Sequence, residues 1–372
     1  MTGTPARVLP FAALAIALAA IAWLSPPPDR VTDRNIYEAA AARGIVPDCT
    51  DLHCFRVLVP WTLGALPGSS LPKWKAYAVL CNAAAAVALF RLCLTFGLSR
   101  RAAWLASTMS AFGFGSLYTL HDPHTSDPLM YALGPVLTNE LLRERVAVAG
   151  AIGAIGVLAK EFAAVPLFAF AAYSALEQRW AVAARSLAAG NAVFIVWLVL
   201  QLTLMLRFNY GYGDSASTHL LSGGYVGPWL AKQSLRGALS AVFNEYGAVY
   251  LLAAVGLSFS PRPLLRLTIA AAPAAVLLAY VQQPDRALWN FHYLVVPLAA
   301  IVLDRAPGVL AWLTVAAFAL ANFRVGAQLP IAPAARFALG CSMLLAIASI
   351  AFAVRAASRT PPHGSSLEPA SA

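Results

Sequence analysis

The chain has 372 residues, of which 60% are hydrophobic and only 11% are charged, and its mean hydropathy is +0.70. Soluble domains are typically about 45–50% apolar and about 25% charged, so this composition excludes a water-soluble globular protein. The formal net charge of +10 does not indicate a nucleic-acid partner, because the basic residues are scattered at the ends of apolar runs and form no stripe with interleaved aromatic residues.

Long apolar runs follow one another along the chain and do not alternate with polar residues. Backbone in lipid must pair its own polar groups, so we predict an all-α, polytopic transmembrane helical bundle of about 10–12 spans. The bundle is expected to form one domain over residues 1–359, followed by a disordered cytoplasmic tail over 360–372. The spans are predicted near residues 8–24, 74–96, 102–120, 128–142, 146–159, 162–177, 187–206, 247–259, 267–282, 291–304, 309–323 and 335–354.

Two long loops are predicted on the outer side, near residues 25–72 and 207–245. The first follows an N-terminal span that we expect to be retained and not cleaved as a signal peptide, because no small-residue cleavage site ends it. This loop is predicted to hold a short helix that begins at Asn35, places Glu38 in a capping-box position and ends at Gly44.

Five cysteines divide into two groups. Cys49 and Cys54 lie in the first outer loop and predict a disulfide if that compartment is oxidising. A metal site that includes His53 is the alternative for this loop. The remaining cysteines are predicted to be packing residues within spans: Cys81, Cys93 and Cys341.

Short arginine-bearing connections at 99–101 and 142–145 predict that this side of the bundle, with both termini, faces the cytoplasm. On this topology the outer side collects most of the acidic residues, which suggests a function there. These residues are Asp29, Asp33, Glu38, Asp48, Asp51, Asp122, Asp127, Glu161, Asp214, Glu245 and Asp285.

Three of these acids are candidates for the catalytic group of an enzyme. Asp33 lies soon after the first span, and Asp122 and Asp127 lie between the third and fourth spans. A carboxylate beside a bilayer can take up a proton near neutral pH, which suits a general base. Helix capping is the alternative for Asp122 and Asp127, and Asp127 followed by Pro128 is typical of a helix start.

Lys160 and Glu161 interrupt an otherwise apolar stretch. Ionisable residues at such a depth cost about 2.5–3.5 kcal/mol each and usually have a function. Lys160 is therefore a candidate to hold a lipid-linked phosphate as a point charge. The alternative is that the two residues neutralise each other at a helix junction.

A late outer cluster contains Asp285 and Arg286. Arg286 is a candidate phosphate ligand, because a guanidinium pairs well with phosphate oxygens. The aromatic residues Trp289 and Tyr293 that follow can stack on a sugar ring, but we expect them, like Trp74, to anchor the membrane interface.

The order of these features resembles that of the integral-membrane glycosyltransferases of the GT-C superfamily, which transfer a sugar from a polyprenyl-phosphate carrier on the outer face of a membrane. The matching residues are Asp33 in the first outer loop, Asp122 or Asp127 in the second, Leu158-Ala159-Lys160-Glu161, the stretch from Arg56 to Pro60 and, loosely, Asp285-Arg286.

This resemblance implies transfer, with inversion, of a sugar from a polyprenyl-phosphate donor to an envelope glycan, lipid or protein acceptor at the cell (inner) membrane. Asp33 would act as the base, while Lys160, Arg286 and Arg56 would stabilise the departing phosphate. The first loop has Asp33-Arg34 where such proteins carry an acidic doublet. That departure leaves the use of a divalent metal ion open, and no other cofactor is implied.

A transporter or flippase for a lipid-linked or small solute is the alternative function. Such a protein would also carry buried charges and spans broken by glycine and proline. The one-sided distribution of acids favours an outer-face enzyme.

Overall fold

The computed structural model describes residues 5–28, 32–211, 234–277 and 287–359. All regular elements in these ranges are helical, which confirms the predicted all-α membrane bundle. The late cluster of Asp285 and Arg286, most of the predicted loop 207–245 and the tail 360–372 lie outside the described residues.

The helices follow one another with short connections. In the first half of the chain they are α1 (Pro5–Leu24), α2 (Thr32–Arg43), α3 (Leu58–Gly64), α4 (Ser70–Thr95), α5 (Arg100–Ala111), α6 (Phe114–His121), α7 (Asp127–Leu142) and α8 (Val146–Gly156). In the second half they are α9 (Val165–Leu176), α10 (Trp180–Phe208), α11 (Leu235–Tyr246), α12 (Ala248–Gly256), α13 (Arg262–Leu277), α14 (His292–Arg305), α15 (Gly308–Val325) and α16 (Ala335–Arg359). Short 3₁₀ turns lie at Leu52–Phe55, Glu161–Ala164, Leu257–Phe259 and Ala287–Phe291.

Among the described residues, four helices are long and apolar enough to cross a membrane by length and composition: α4, α10, α15 and α16. Helix α11 and the segment Ala248–Phe259 pass the same test together as a fifth candidate, bent by 100°. Other predicted spans are shorter apolar helices, as in Val146–Gly156 and Glu161–Leu176.

The predicted span 102–120 is two helices, α5 and α6, so this prediction of one continuous span was wrong. The break leaves room for the indole of Trp289: a Cβ at Gly113 would lie 2.0 Å from that ring, and one at Gly115 would lie 2.4 Å from it. Trp289 is fully buried and its Nε1–H donates to Ser116 Oγ at 3.1 Å. The indole of Trp289 therefore occupies the space between α5 and α6, where the apolar sequence alone predicted one continuous helix.

The aromatic residues expected at the membrane interface are core residues. Trp74, Trp289 and Tyr293 are each at most 1% exposed. The expectation of interface anchoring was therefore wrong for all three, because their rings pack between helices of the bundle.

The helix in the first loop begins at Thr32 and not at Asn35, so Glu38 does not occupy the expected capping position. Its carboxylate instead accepts a hydrogen bond from Ser70 Oγ at 2.9 Å. The predicted end is confirmed: Gly44 has φ +74°, and its N–H donates to Ala40 O.

The remainder of this loop is fastened to the end of α10. The Asp48 N–H donates to Phe208 O at 2.9 Å, and the Gly211 N–H donates to Cys49 O at 2.9 Å. The amide of Asn209 donates to Asp48 Oδ1 at 2.7 Å. The first loop is thus held by a helix that lies far from it in the sequence.

The two ends of the bundle differ in charge. One end, called the arginine end here, carries the arginine-bearing connections near residues 99–101 and 142–145. At this end Arg179 pairs with Glu144 at 2.5 Å, and Arg266 pairs with Glu177 at 2.6 Å. Asp304 accepts a hydrogen bond from Ser99 in the first of these connections. Helices α4, α7, α10 and α14 run between this end and the opposite end, where α2 and the first loop lie.

Candidate functional site

Two ion pairs meet at the end of the bundle opposite the arginine end. Lys160 Nζ donates to Asp127 Oδ1 at 2.5 Å, and the two side chains are 10% and 5% exposed. Arg56 Nη2 donates to Glu161 Oε1 at 3.3 Å. Because Lys160 and Glu161 are neighbours in the chain, the two pairs form one buried cluster that joins three separate segments.

The backbone explains why these neighbours have different partners. Lys160 is extended, with φ −166° and ψ 137°, between the end of α8 and the turn Glu161–Ala164. Successive side chains of an extended chain point to opposite sides. Lys160 therefore reaches Asp127 while Glu161 reaches Arg56, and the alternative that the two residues neutralise each other was wrong.

Asp127 is the first residue of α7, and Pro128 follows in the first turn as predicted. The N-cap position belongs to Ser126, which makes no side-chain capping bond. The capping alternative for Asp127 was therefore wrong, since its carboxylate accepts from Lys160. Asp122 is buried, with 8% exposure, and follows the last residue of α6. It therefore lies at the C-terminal end of that helix and is not an N-cap.

Tyr37 connects this cluster with α2. It is 1% exposed, and its hydroxyl lies beside Arg56 and Ser126. Burial raises the pKa of Tyr37 above its usual value, although the charge of Arg56 opposes the shift, so the phenol stays protonated. Burial alone would lower the pKa of Arg56, but the carboxylates of Glu161 and Asp127 raise it, so Arg56 is a permanent cation.

A second group of polar side chains surrounds Asp33 in the first loop. His53 Nδ1 lies 2.6 Å from Asp51 Oδ1, and His53 Nε2 lies 3.7 Å from Asp33 Oδ2. The hydrogen bonds from His53 lower the pKa of Asp51 below its usual value against the effect of burial. The ring of His53 contacts the ring of Tyr37 edge-on, with centroids 5.7 Å apart. Asp33 is therefore linked to the ion-pair cluster through His53 and Tyr37.

Cys49 and Cys54 form a disulfide in this loop, as the sequence predicted. Both sulfurs are consequently unable to ligate a metal as thiolates. Within the described ranges, no three His, Cys, Asp or Glu side chains are placed to hold a metal ion together.

A third contact network lies on α2 next to the cluster. Glu38 Oε1 lies 3.3 Å from His124 Nε2 and 3.2 Å from Arg34 Nε. Burial lowers the pKa of His124 to about 4, so this imidazole is neutral at pH 7. Burial would raise the pKa of Glu38, but the hydrogen bond from Ser70 and the nearby cations lower it, so Glu38 is ionised.

Several of these residues were not candidates from the sequence. Tyr37 and His124 are separated from their partners along the chain, and His53 was considered only as a metal ligand. One signal was available for Tyr37: it lies four residues after Asp33 on the same helix, so both side chains share a face. The structure places Asp33, Asp127, Lys160, Glu161 and Arg56 at one end of the bundle.

A cavity of about 680 Å³ opens at this end between α6, α11, α15 and α16. Its wall is mostly apolar and includes Phe114, Tyr118 and Phe318. Two buried polar atoms in the wall, Asn322 Nδ2 and Ser342 Oγ, make no hydrogen bond within the described part of the chain. The cavity therefore has the character of a site for a mainly apolar ligand with a few polar groups.

The sequence matches no described protein family and no curated protein. The fold is similar to that of the crystal structure of the Archaeoglobus fulgidus oligosaccharyltransferase in the apo form, with a TM-score of 0.53 and 13% identity over 94% of this chain. A second structure of that enzyme, tethered by a disulfide to an acceptor peptide containing the NVT sequon, gives a TM-score of 0.47 and 14% identity over 94% of this chain. The chain spans 56% and 55% of those two structures, so it corresponds to about half of their length.

Proposed function

We propose that this protein is a membrane glycosyltransferase that moves a sugar from a polyprenyl-phosphate donor to an envelope glycan, lipid or protein acceptor. The observation that supports the proposal is that an accessible carboxylate, Asp33, lies at the same end of the bundle as the buried cations Lys160 and Arg56 and is linked to them through His53 and Tyr37. A base and phosphate-binding cations are the groups that glycosyl transfer from a phosphate carrier requires. The likeness of the fold to an oligosaccharyltransferase supports the same assignment.

The exposure of the acids favours different roles for them. The Asp33 side chain is 33% exposed, whereas that of Asp127 is 5% exposed and is bonded to Lys160. An ammonium beside a carboxylate makes it a weaker base. Asp33 is therefore the proposed base, and Asp127 holds Lys160 in place.

The cations retain donors for a phosphate although both are paired. An ammonium group has three donors and a guanidinium has five. Lys160 uses one donor on Asp127, and Arg56 uses one on Glu161. Each cation can keep its partner and still donate to the oxygens of the departing phosphate, which stabilises the charge that develops there.

The donor's prenyl chain is proposed to lie in the apolar cavity between α6, α11, α15 and α16. The cavity shares the end of the bundle with Asp33 and Lys160, since α15 begins at the arginine end and finishes at Val325 in the cavity wall. An isoprenoid chain in a bilayer is already surrounded by hydrocarbon, so van der Waals packing against the cavity wall, and not removal from water, would favour its binding there.

The test of the proposed function removes the proton-accepting carboxylate of Asp33. Mass spectrometry of lipid-linked sugars in a deletion strain identifies the donor that accumulates, and purified protein is then assayed for transfer from that donor. Asp33→Asn keeps the shape of the side chain but cannot accept the proton, so transfer should fall by about 10²–10⁴-fold.

Asp304→Asn provides the matched control. Asp304 lies at the arginine end, where it accepts a hydrogen bond from Ser99 that asparagine can also accept. This variant should transfer sugar normally. Near-normal transfer by folded Asp33→Asn protein would remove Asp33 from the mechanism and favour the transporter alternative.

A further inference from the structure

His53 lies between two carboxylates in the first outer loop. Its Nδ1 is 2.6 Å from Asp51 Oδ1, and its Nε2 is 3.7 Å from Asp33 Oδ2. The side chains of Asp33, His53 and Asp51 are 33%, 25% and 42% exposed, in that order. The imidazole is thus the least exposed member of the row, and Asp51 is the most exposed.

The backbone fixes the Asp51 side of this row. Asp51 is the N-cap of the turn Leu52–Phe55, and its Oδ1 accepts both the backbone N–H of His53 at 2.8 Å and the imidazole. The disulfide between Cys49 and Cys54 encloses the same turn. These constraints leave the ring little freedom to turn away from Asp33.

The same contacts assign the protons of the neutral ring. An ionised carboxylate only accepts hydrogen bonds, so Nδ1 next to Asp51 carries the proton. Nε2 then presents its lone pair toward Asp33. The distance of 3.7 Å is longer than a hydrogen bond, and such contacts commonly shorten when substrate binds.

We propose that His53 and Asp51 form a proton relay for Asp33. The inference rests on the proposed function, because only there is Asp33 the base. His53 and Asp51 touch neither substrate nor sugar in this scheme, and they act on the reaction through Asp33.

The acceptor oxygen forms a bond to the anomeric carbon while the bond from that carbon to the phosphate oxygen breaks, and the electron pair leaves with the phosphate. The acceptor's proton passes to Asp33 and from there to His53 Nε2. His53 then is an imidazolium, which the Asp51 carboxylate stabilises without taking its proton. The imidazolium releases the Nε2 proton to water after the products leave, which restores the ring with its proton on Nδ1.

The relay is needed because bound substrates would separate Asp33 from water. A bound sugar and acceptor would cover Asp33 and exclude the water that otherwise takes its proton. The imidazole of His53 can hold that proton while the site is covered, and the carboxylate of Asp51 stabilises its positive charge. The relay would return Asp33 to its ionised state before the products leave.

The pH dependence of kcat can test the role of the His53 ring, because the neighbouring His124 and Tyr37 keep the same charge between pH 5 and 8. Imidazoles are the side chains that commonly change charge between pH 5 and 8. The groups closest to His53 are Asp51, Asp33 and Tyr37, and Arg56 acts on Asp51. Arg34 and Glu38 lie farther along α2, and His124, between α6 and α7, contacts Glu38. His124 has a pKa of about 4 and Tyr37 has a raised pKa, so neither changes charge in that window.

The experiment compares His53→Gln, Asp51→Asn and wild type over pH 5–9. His53→Gln keeps a polar side chain but cannot carry a proton, so kcat should fall about 10–100-fold with KM nearly unchanged. Between pH 5 and 8, kcat of His53→Gln should depend less on pH than kcat of wild type. Asp51→Asn should also lower kcat, because the imidazolium loses the carboxylate that stabilises it.

Asp48→Asn is the matched control in the same loop. Asp48 has φ +58°, a conformation that asparagine also adopts, and its Oδ1 accepts from Asn209. Its activity and pH profile should equal those of wild type. A lower but equally pH-dependent kcat in His53→Gln would show a structural role only and would overturn the relay.

Nitrogen-15 spectra of histidine-labelled protein test the relay apart from activity. The neutral ring of His53 should carry its proton on Nδ1, next to Asp51. A neutral ring protonated on Nε2 would overturn the relay. Because this spectrum is recorded on the wild-type protein, the test holds even if His53→Gln does not fold. Absence of transfer by wild type with every polyprenyl-linked donor would instead overturn the proposed function.

Discussion

The pair of Lys160 and Asp127 is the most buried ion pair at the candidate site, with side chains 10% and 5% exposed. Removing one partner of such a pair costs about 3–5 kcal/mol, because the other charge is left uncompensated in a region of low dielectric constant. Removing both charges together costs much less. This difference allows the contribution of Lys160 to folding to be separated from its contribution to activity.

Lys160→Met should therefore lower both the free energy of unfolding, by about 3–5 kcal/mol, and sugar transfer. The double variant Lys160→Met with Asp127→Asn should recover most of the stability but not the transfer, because the phosphate then lacks the ammonium of Lys160 and keeps only Arg56. Thermal unfolding in detergent and the transfer assay measure the two effects.

Lys73→Met is the control, because Lys73 is only half-buried and donates only to the carbonyl of Leu66 among its hydrogen bonds within the described residues. Its stability should change by less than about 0.5 kcal/mol, with normal transfer. If the double variant regains transfer along with stability, Lys160 has a structural role and does not bind the phosphate.

The sequence predicted the importance of Lys160 and Glu161, because charges inside an apolar run stand out. It did not predict their partners. Arg56 and Glu161 are 105 positions apart, and the extended conformation of Lys160 decides which side chain faces which neighbour. Tyr37 was missed because a tyrosine in an outer loop has many ordinary roles, and only its complete burial indicates this one.

At the scale of elements, the length of apolar runs located most helices but not their interruptions. Residues 102–120 have no strong helix breaker apart from glycine, yet α5 ends at Ala111 and α6 begins at Phe114. The helix is interrupted there because Trp289, in the turn that precedes α14, packs against Gly113 and Gly115. A contact with a residue so distant along the chain leaves no periodic signal in the local sequence.

The cavity bounded by α15 and α16 gives a prediction at the same scale. Ser342→Leu should fill part of the cavity, and because Ser342 Oγ makes no hydrogen bond among the described residues, no partner is left unsatisfied. We expect KM for a long-chain polyprenyl donor to rise about tenfold, corresponding to about 1.4 kcal/mol. A short-chain donor should be used as by wild type, since it does not reach the filled volume.

Gly340→Leu is the matched control on the same helix. A Cβ at Gly340 meets no atom within 4 Å, so this leucine adds the same side chain outside the cavity. KM values for donors of different chain length should remain as in wild type. Equal KM values for Ser342→Leu and Gly340→Leu with the long-chain donor would exclude this cavity as the prenyl site.

At the scale of the whole molecule, the separation of charge between the two ends predicts its orientation. The arginine end should face the cytoplasm, because short loops rich in arginine are retained there. The candidate site at the opposite end would then face outward.

Single cysteines in a cysteine-free background test this orientation. An impermeant maleimide should label Ser69→Cys in sealed right-side-out vesicles, and it should label Arg100→Cys and Glu144→Cys only after detergent is added. All three positions are exposed. Labelling of position 100 or 144 before detergent would reverse the orientation and place the site in the cytoplasm.

The hydrogen bonds between the first loop and the end of α10 have a consequence for the order of assembly. Asp48 and Asn209 are 161 positions apart, so the loop leaves the ribosome long before its support is made. The disulfide joins cysteines only five positions apart and can close early. The loop reaches its final position only after α10 has been inserted, so this part of the candidate site is completed when ten of the sixteen described helices have been made.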